Sequence, residues 1–442
     1  MPLPRRSILA VSRFDSRKIL VIMSIVVITL TIDSQLGNIA DFITEQLASG
    51  VGIITFTGIG VIFAVTQYYI LAYVRQVNIK ESRNRVHYLN IVHRIVTILQ
   101  FVLVGIIALV ILEILIAEEY NTTTLYAALS ISYGLWIVSL ALLARAFFSW
   151  YKLSNKNVMV LIFALSMVSH VINGVLGLYT YISDLAQKDS VIRLGDVAVF
   201  PEFSSSIFIA YSIASVVAYI LTWTGTMMLL RSYMKKLGKI RFWIIMGAAM
   251  VYYLIAFPLF TLGYFTPSEN LDAMTNILIF SLSAVFSGIV FGAAFLSIAR
   301  TLQTDSAIRN SMIIAAYGFV LFYVTSIAIV SQAAYPPYGL ASISFTGLSC
   351  YLIYNGLYYS AISVSQDTAL RQSIRKSVME QSKLLDSIGT AQMERELQNR
   401  VLTVTKKASD IMTEKTGVEA SMNEDDIKNY MEMVMREIHG KQ

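Results

Sequence analysis

The chain has one cysteine in 442 residues, Cys350, and it lies inside an apolar segment. Intrachain disulfides and cysteine-built metal sites are therefore excluded. Charge is scarce too: Asp, Glu, Lys and Arg make up 14% of residues, against roughly a quarter in soluble domains. With 56% hydrophobic residues, a water-soluble core is ruled out. There is no Gly-x4-Gly-Lys-Ser/Thr phosphate loop, no His-Glu-x-x-His, and no Gly-x-Ser-x-Gly nucleophile elbow. His87 and His93 stand on a basic loop without acid or cysteine companions and read as surface residues. No catalytic cluster emerges, so the expectation is a non-enzyme without a cofactor. The net charge of +6 sits in short loops, which orientation and anionic lipid explain without nucleic acid.

What the chain does have is ten apolar stretches, at 19–32, 51–74, 95–117, 125–148, 158–182, 207–230, 242–266, 276–299, 311–334 and 340–363. Most are roughly 22 to 25 residues long, which suits an α-helix crossing a hydrocarbon core of about 30 Å. Of 34 Lys and Arg residues, only Lys188 and Arg193 fall outside the N-terminal tail, every second loop and the C-terminal tail. The positive-inside rule puts that basic set, and both termini, in the cytoplasm. The expected fold class is all-α membrane: a polytopic bundle of about ten transmembrane helices followed by a cytoplasmic helical and coiled-coil tail. The chain divides into a basic N-terminus (1–18), a ten-span domain (19–363) and the tail (364–442). The cell membrane is the expected location.

The first stretch also has the layout of a signal-peptide core, but no Ala-x-Ala site follows it, so a retained anchor is expected. After it, Leu36, Ile39, Phe42, Ile43 and Leu47 suggest an amphipathic helix on the outer surface. Pro258 is expected to kink the seventh span, and Pro336-Pro337 to make a tight outer turn. Residues 305–312 and 367–374 match at eight consecutive similar positions. That echo reads either as ordinary helix-start composition or as a duplicated two-span unit.

Polar side chains in hydrocarbon are costly and face the protein interior. On the fifth span Ser166, Ser169, His170, Asn173, Gly177 and Thr180 share one face. It reads as an interhelical seam or, because His titrates near neutral pH, as a ligand or proton site. Glu113, the one acid inside a span, reads as an interfacial carboxylate or a cation-coupling group. Gln67 and Gln100 are expected to bridge helices. Ala284, Gly288 and Gly292 form a small-residue ridge for close helix packing. Ser342, Thr346 and Ser349 lie on one side of the tenth span and Ser344, Tyr351, Asn355 and Tyr358 on another, as expected of a helix enclosed by the bundle. Trp150 and Trp243 read as part of the interfacial aromatic belt.

In the tail, Gly389 interrupts the apolar periodicity and reads as a hinge. Leu397, Val401, Val404, Ala408 and Ile411 then follow in a 4-3-4-3 heptad pattern, and 421–440 has the spacing of a capped amphipathic helix. The segment Ser382-Lys-Leu-Leu-Asp-Ser-Ile-Gly-Thr-Ala-Gln-Met393 resembles tails of uncharacterised archaeal multi-pass membrane proteins with a helical cytoplasmic tail. The resemblance covers about a tenth of the chain and implies membrane residence alone. The leading functional expectation is a sensor- or receptor-like protein that couples its bundle, through the tail, to a cytoplasmic partner or to itself. A secondary transporter or channel, and a structural subunit of a membrane complex, are the alternatives.

Overall fold

The computed structural model describes residues 16–81, 87–153, 157–196, 205–231, 238–265, 270–302, 307–366 and 380–416. The N-terminal basic tail, most of the 305–312 and 367–374 echo, and the capped segment at 421–440 lie outside these residues. The first helices are α1 (Ser16–Asn38), a single turn α2 (Thr44–Leu47), α3 (Gly50–Glu81), α4 (His87–Ala117), α5 (Thr122–Leu153) and α6 (Val158–Leu185). They are followed by α7 (Ser205–Leu230), α8 (Lys239–Phe265), α9 (Asn270–Thr301), α10 (Ala307–Thr325), α11 (Leu340–Gln366) and α12 (Glu380–Thr416). Helices dominate because apolar runs in lipid must satisfy their backbone polar groups internally.

Among the described residues, nine helices are long and apolar enough to cross a membrane: α1 and α3 through α10. The chain is thus a multi-pass helical membrane protein. The expected tenth span, α11, is 27 residues long and carries no formal charge, yet its Ser, Thr, Asn and Tyr content keeps it out of that set. Its position explains the composition. From Leu340 to Leu357 every residue of α11 is buried by protein, with α10, α5, α4 and α1 packed around it. By contrast, α4 exposes Leu112, Leu115 and Ile116, the last at 80%, as a lipid-facing surface does.

Two sequence expectations change here. The helix assigned to 311–334 stops at Thr325, and 326–339 is irregular yet almost wholly buried. The helix assigned to 19–32 continues to Asn38, so the amphipathic outer helix is replaced by that extension and the short α2. These two changes have one cause. Asp33, 0% exposed, accepts hydrogen bonds from the backbone N–H groups of Gly339 (3.0 Å) and Ser342 (2.7 Å) at the start of α11. Asn38 accepts from Ile329 N (2.9 Å) and donates to Ser281 Oγ (3.1 Å). Non-helical backbone buried away from water is tolerated where protein groups satisfy it, and α1 supplies such groups. Pro258 lies within α8, a single element from Lys239 to Phe265.

At one end of the bundle, β1 (Glu119–Asn121) pairs antiparallel with β2 (Val191–Arg193), joining the α4–α5 and α6–α7 connections. Arg193 Nε meets Glu119 Oε2 at 3.1 Å. At the opposite end, α12 packs on α11, α5, α6 and α7. Trp150, 0% exposed, donates from Nε1 to Gln392 Oε1 (3.0 Å), and Asn157 Nδ2 donates to Ser387 Oγ (2.8 Å). Trp150 therefore belongs to the tail contact rather than to an aromatic belt; Trp243, 52% exposed, is placed as a belt residue would be. The helix is continuous through Gly389, where a hinge was expected. A Cβ there would collide with the Val364 side chain, so glycine provides close approach rather than bending. Beyond the contact, Leu397 and Val404 of the heptad pattern are exposed, at 48% and 67%.

Candidate functional site

The polar face of α6 is turned inward. Ser166 (0%), His170 (4%), Asn173 (8%) and Thr180 (7%) are buried, while Ser169 is half-buried at the edge of that face. The register begins at Asn157, whose side chain accepts from Met159 N at 3.0 Å and caps the helix. Opposite stands α7, with Ser212, Ser215, Tyr219, Thr222 and Thr226 at steps of three and four. That periodicity was available in the sequence as a second polar stripe.

The two stripes meet at Thr222. Its hydroxyl donates to Ala218 O (2.9 Å) and lies 2.7 Å from Ser166 Oγ and 3.0 Å from His170 Nε2. With its own proton committed to Ala218, Thr222 accepts from both neighbours. With the Thr222 proton on Ala218 O, which can only accept, His170 presents Nε2–H; a Thr222 proton turned to Nε2 gives the other tautomer. Its Nδ1 is buried without a hydrogen-bond partner among the described residues. One turn on, Ser215 Oγ donates to Asn173 Oδ1 at 2.9 Å.

Beside this pair is a cavity of about 90 Å³, enclosed by α6 through α10 and the start of the irregular segment. His170, Asn173, Tyr219, Tyr253, Tyr323 and Ser326 mark its walls. Eight of its sixteen lining residues are Phe or Tyr, and none is Asp, Glu, Lys or Arg. The aromatic wall is stiffened by its own contacts: Tyr219 and Tyr253 stack at 3.7 Å and 4°, and Phe322 meets His170 edge-on at 5.0 Å and 89°. A concave, mainly apolar space with a few convergent polar groups is the usual form of a small-molecule site. It has the means to bind and orient; no paired carboxylates or nucleophile with its base line it.

The other sequence candidates go elsewhere. Of the small-residue ridge, Ala284 lines the cavity. Gly288 and Gly292 press on α10: a Cβ on Gly288 would lie 2.7 Å from Tyr323 Cβ, and one on Gly292 would run into Val320. Glu113 sits at the sheet end, accepting from Asn121 N at 3.1 Å; it is absent from the cavity lining. Gln67 and Gln100 are buried, but neither amide has a hydrogen-bond partner among the described residues, contrary to the expected bridges. His93 is not a loop residue: it lies on α4 with Nδ1 3.0 Å from Tyr351 Oη. It joins the reciprocal Asn78–Asn355 amide pair (3.3 and 3.4 Å) in a second polar seam between α3, α4 and α11. No group of three or more His, Cys, Asp or Glu side chains arranged for a metal occurs among the described residues.

Sequence reasoning missed Asp33, Asn38 and the tyrosines of α7, α8 and α10. Acids and amides beside a span end read by default as loop, and isolated tyrosines carry no helical signature until their partners are known. Comparison of the chain with protein-family models, curated proteins and solved structures gave no match.

Proposed function

We propose that the protein is a sensor-like membrane protein in which occupancy of the His170 cavity is passed to the tail helix α12. One chain of contacts carries this reading. Ser326, Ile327 and Ile329 of the irregular segment line the cavity. The same segment runs into the start of α11, pinned there by Asp33. The far end of α11 meets α12 where Val364 lies against Gly389. A displacement at the cavity wall thereby has a continuous protein path to the tail, and a two-position helix is a recurrent means of such transmission.

On this reading α11 is the tenth span and the chain resides in the cell membrane. Both termini face the cytoplasm, since the tail-contact end coincides with the basic loops. The exposed Leu397 and Val404 stripe on α12 then serves as the output surface, toward a cytoplasmic protein or a second copy. Coupling is tested by filling the cavity with His170→Phe and following amide hydrogen exchange of residues 380–416 in nanodiscs. Exchange in α12 should change by severalfold; identical exchange in wild type and variant removes the coupling.

A secondary transporter is the second reading, supported by the buried non-helical segment that lines the cavity, a form recurrent in transporter sites. Solute flux into vesicles holding the purified protein, absent from vesicles holding His170→Phe, would favour it over the sensor.

A further inference from the structure

We infer that the His170 cavity takes a small uncharged molecule that donates a hydrogen bond to His170 Nδ1. The inference rests on the ligand-site reading above and adds the chemistry of the ligand. Three observations converge.

The first is the proton inventory. The Thr222 hydroxyl proton goes to Ala218 O, so Thr222 receives the Nε2–H of His170. In a neutral imidazole the other nitrogen is then an acceptor. That acceptor, itself shielded but on a side chain that lines the cavity, has no donor among the described residues. A complement must bring an N–H or O–H.

The second is charge. None of the sixteen lining residues is an acid, a lysine or an arginine. An ion entering this space would leave water without a counter-charge, the costliest form of burial. An uncharged donor loses only a few hydrogen bonds and regains one at Nδ1, while its apolar part meets the rings of Tyr219, Tyr253 and Phe322.

The third is size. The space of about 90 Å³ is smaller than the cavities of about 150 Å³ that accept benzene. The ligand is limited to a handful of non-hydrogen atoms, the scale of a simple amide or alcohol.

N-methylformamide and N,N-dimethylformamide form a matched pair of probes: similar in size, both uncharged, differing in one N–H. Methylammonium supplies a charged donor of comparable bulk. Full-length protein with ¹⁵N-labelled histidine, in nanodiscs, reports directly on Nδ1. The His170 signals are assigned from His170→Gln or, should that variant misfold, by elimination with His87→Gln, His93→Gln and His439→Gln. The expected result is a ligand-free spectrum with Nε2 protonated and Nδ1 bare. N-methylformamide then moves Nδ1 saturably, at least tenfold more tightly than either other probe.

Equal half-saturation by the two formamides, tighter binding of methylammonium, no saturable response, or a proton on Nδ1 in the free protein would each overturn the inference. The two readings fail separately. Donor-selective saturation with unchanged exchange in α12 supports the ligand chemistry and removes the coupling. Changed exchange in His170→Phe without donor selectivity supports the coupling and removes this inference.

Discussion

The two ends of α11 are held by opposite means. At the sheet end the grip is polar and long-range: a buried carboxylate from α1 receives two backbone N–H groups, 306 and 309 residues away in sequence. At the tail end it is steric: Gly389 lets α12 close on Val364, with Trp150–Gln392 as a polar latch beside it. A polar clamp fixes position because its strength depends on direction and on exclusion of water, whereas a small-residue contact fixes distance and leaves sliding open. On the proposed reading, the clamp ties α11 to the cavity segment so that the two shift together, and the looser contact at Val364 lets that shift reach α12.

The most damaging way to break this asymmetry is Asp33→Ala, which leaves the Gly339 and Ser342 N–H groups unpaired in a buried site. A loss of about 2–5 kcal/mol is expected, read as a lowered unfolding midpoint in detergent, with Asp33→Asn costing roughly half because one acceptor remains. A variant as stable as wild type would show the clamp to be dispensable. At the other end, Gly389→Val forces side chains into a filled contact at about 1–3 kcal/mol. Because this grip sets distance alone, the expected readout is local: protease cleavage within 380–416 rises while the unfolding midpoint of the bundle stays within a degree or two. Global destabilisation would make the tail contact part of the core.

Trp150→Phe removes the donor to Gln392 together with one ring of a buried, stacked indole. About 1 kcal/mol is expected from one buried hydrogen bond, again expressed in the tail. A further effect concerns pH at the sheet end. Burial holds the Asp41 carboxyl proton up to about 7, against 3.8 for the unperturbed group. Between those values the folded protein binds more protons than the unfolded chain, so stability falls as pH rises through that window. Asp41→Asn should flatten the slope of unfolding midpoint against pH from 4 to 7; an unaltered slope assigns it to another group.

Where local pattern and lipid decide structure, the sequence was easy to read: the long apolar helices, the inward face of His170 and Asn173, and the ridge of Gly288 and Gly292 all follow from hydrophobicity and periodicity. What escaped was decided by partners far away in the chain. Residues 328–334, Ala-Ile-Val-Ser-Gln-Ala-Ala, continue an apolar run and read as helix. They unwind because Asn38 and Asp33 serve this segment and the start of α11. Asp33 in turn read as a loop acid because its partners, at Gly339 and Ser342, lie some three hundred residues away in the chain. Gly389 broke a periodic pattern and so read as a hinge, when what it breaks is the bulk between two helices.

The composition of α11 has a consequence for biogenesis. A segment so rich in hydroxyl and amide groups is a poor candidate for entering lipid unaided, since each polar residue weakens partition from the translocon. Its hydrogen-bonding partners, Asp33 on α1 and Ser132 on α5, are synthesised long before it. The earlier helices therefore act as a receiving vestibule, and α11 completes the fold as a late guest. A ribosome stalled before Leu340 would hold a bundle with an open, polar-lined groove, a state that membrane quality control can recognise.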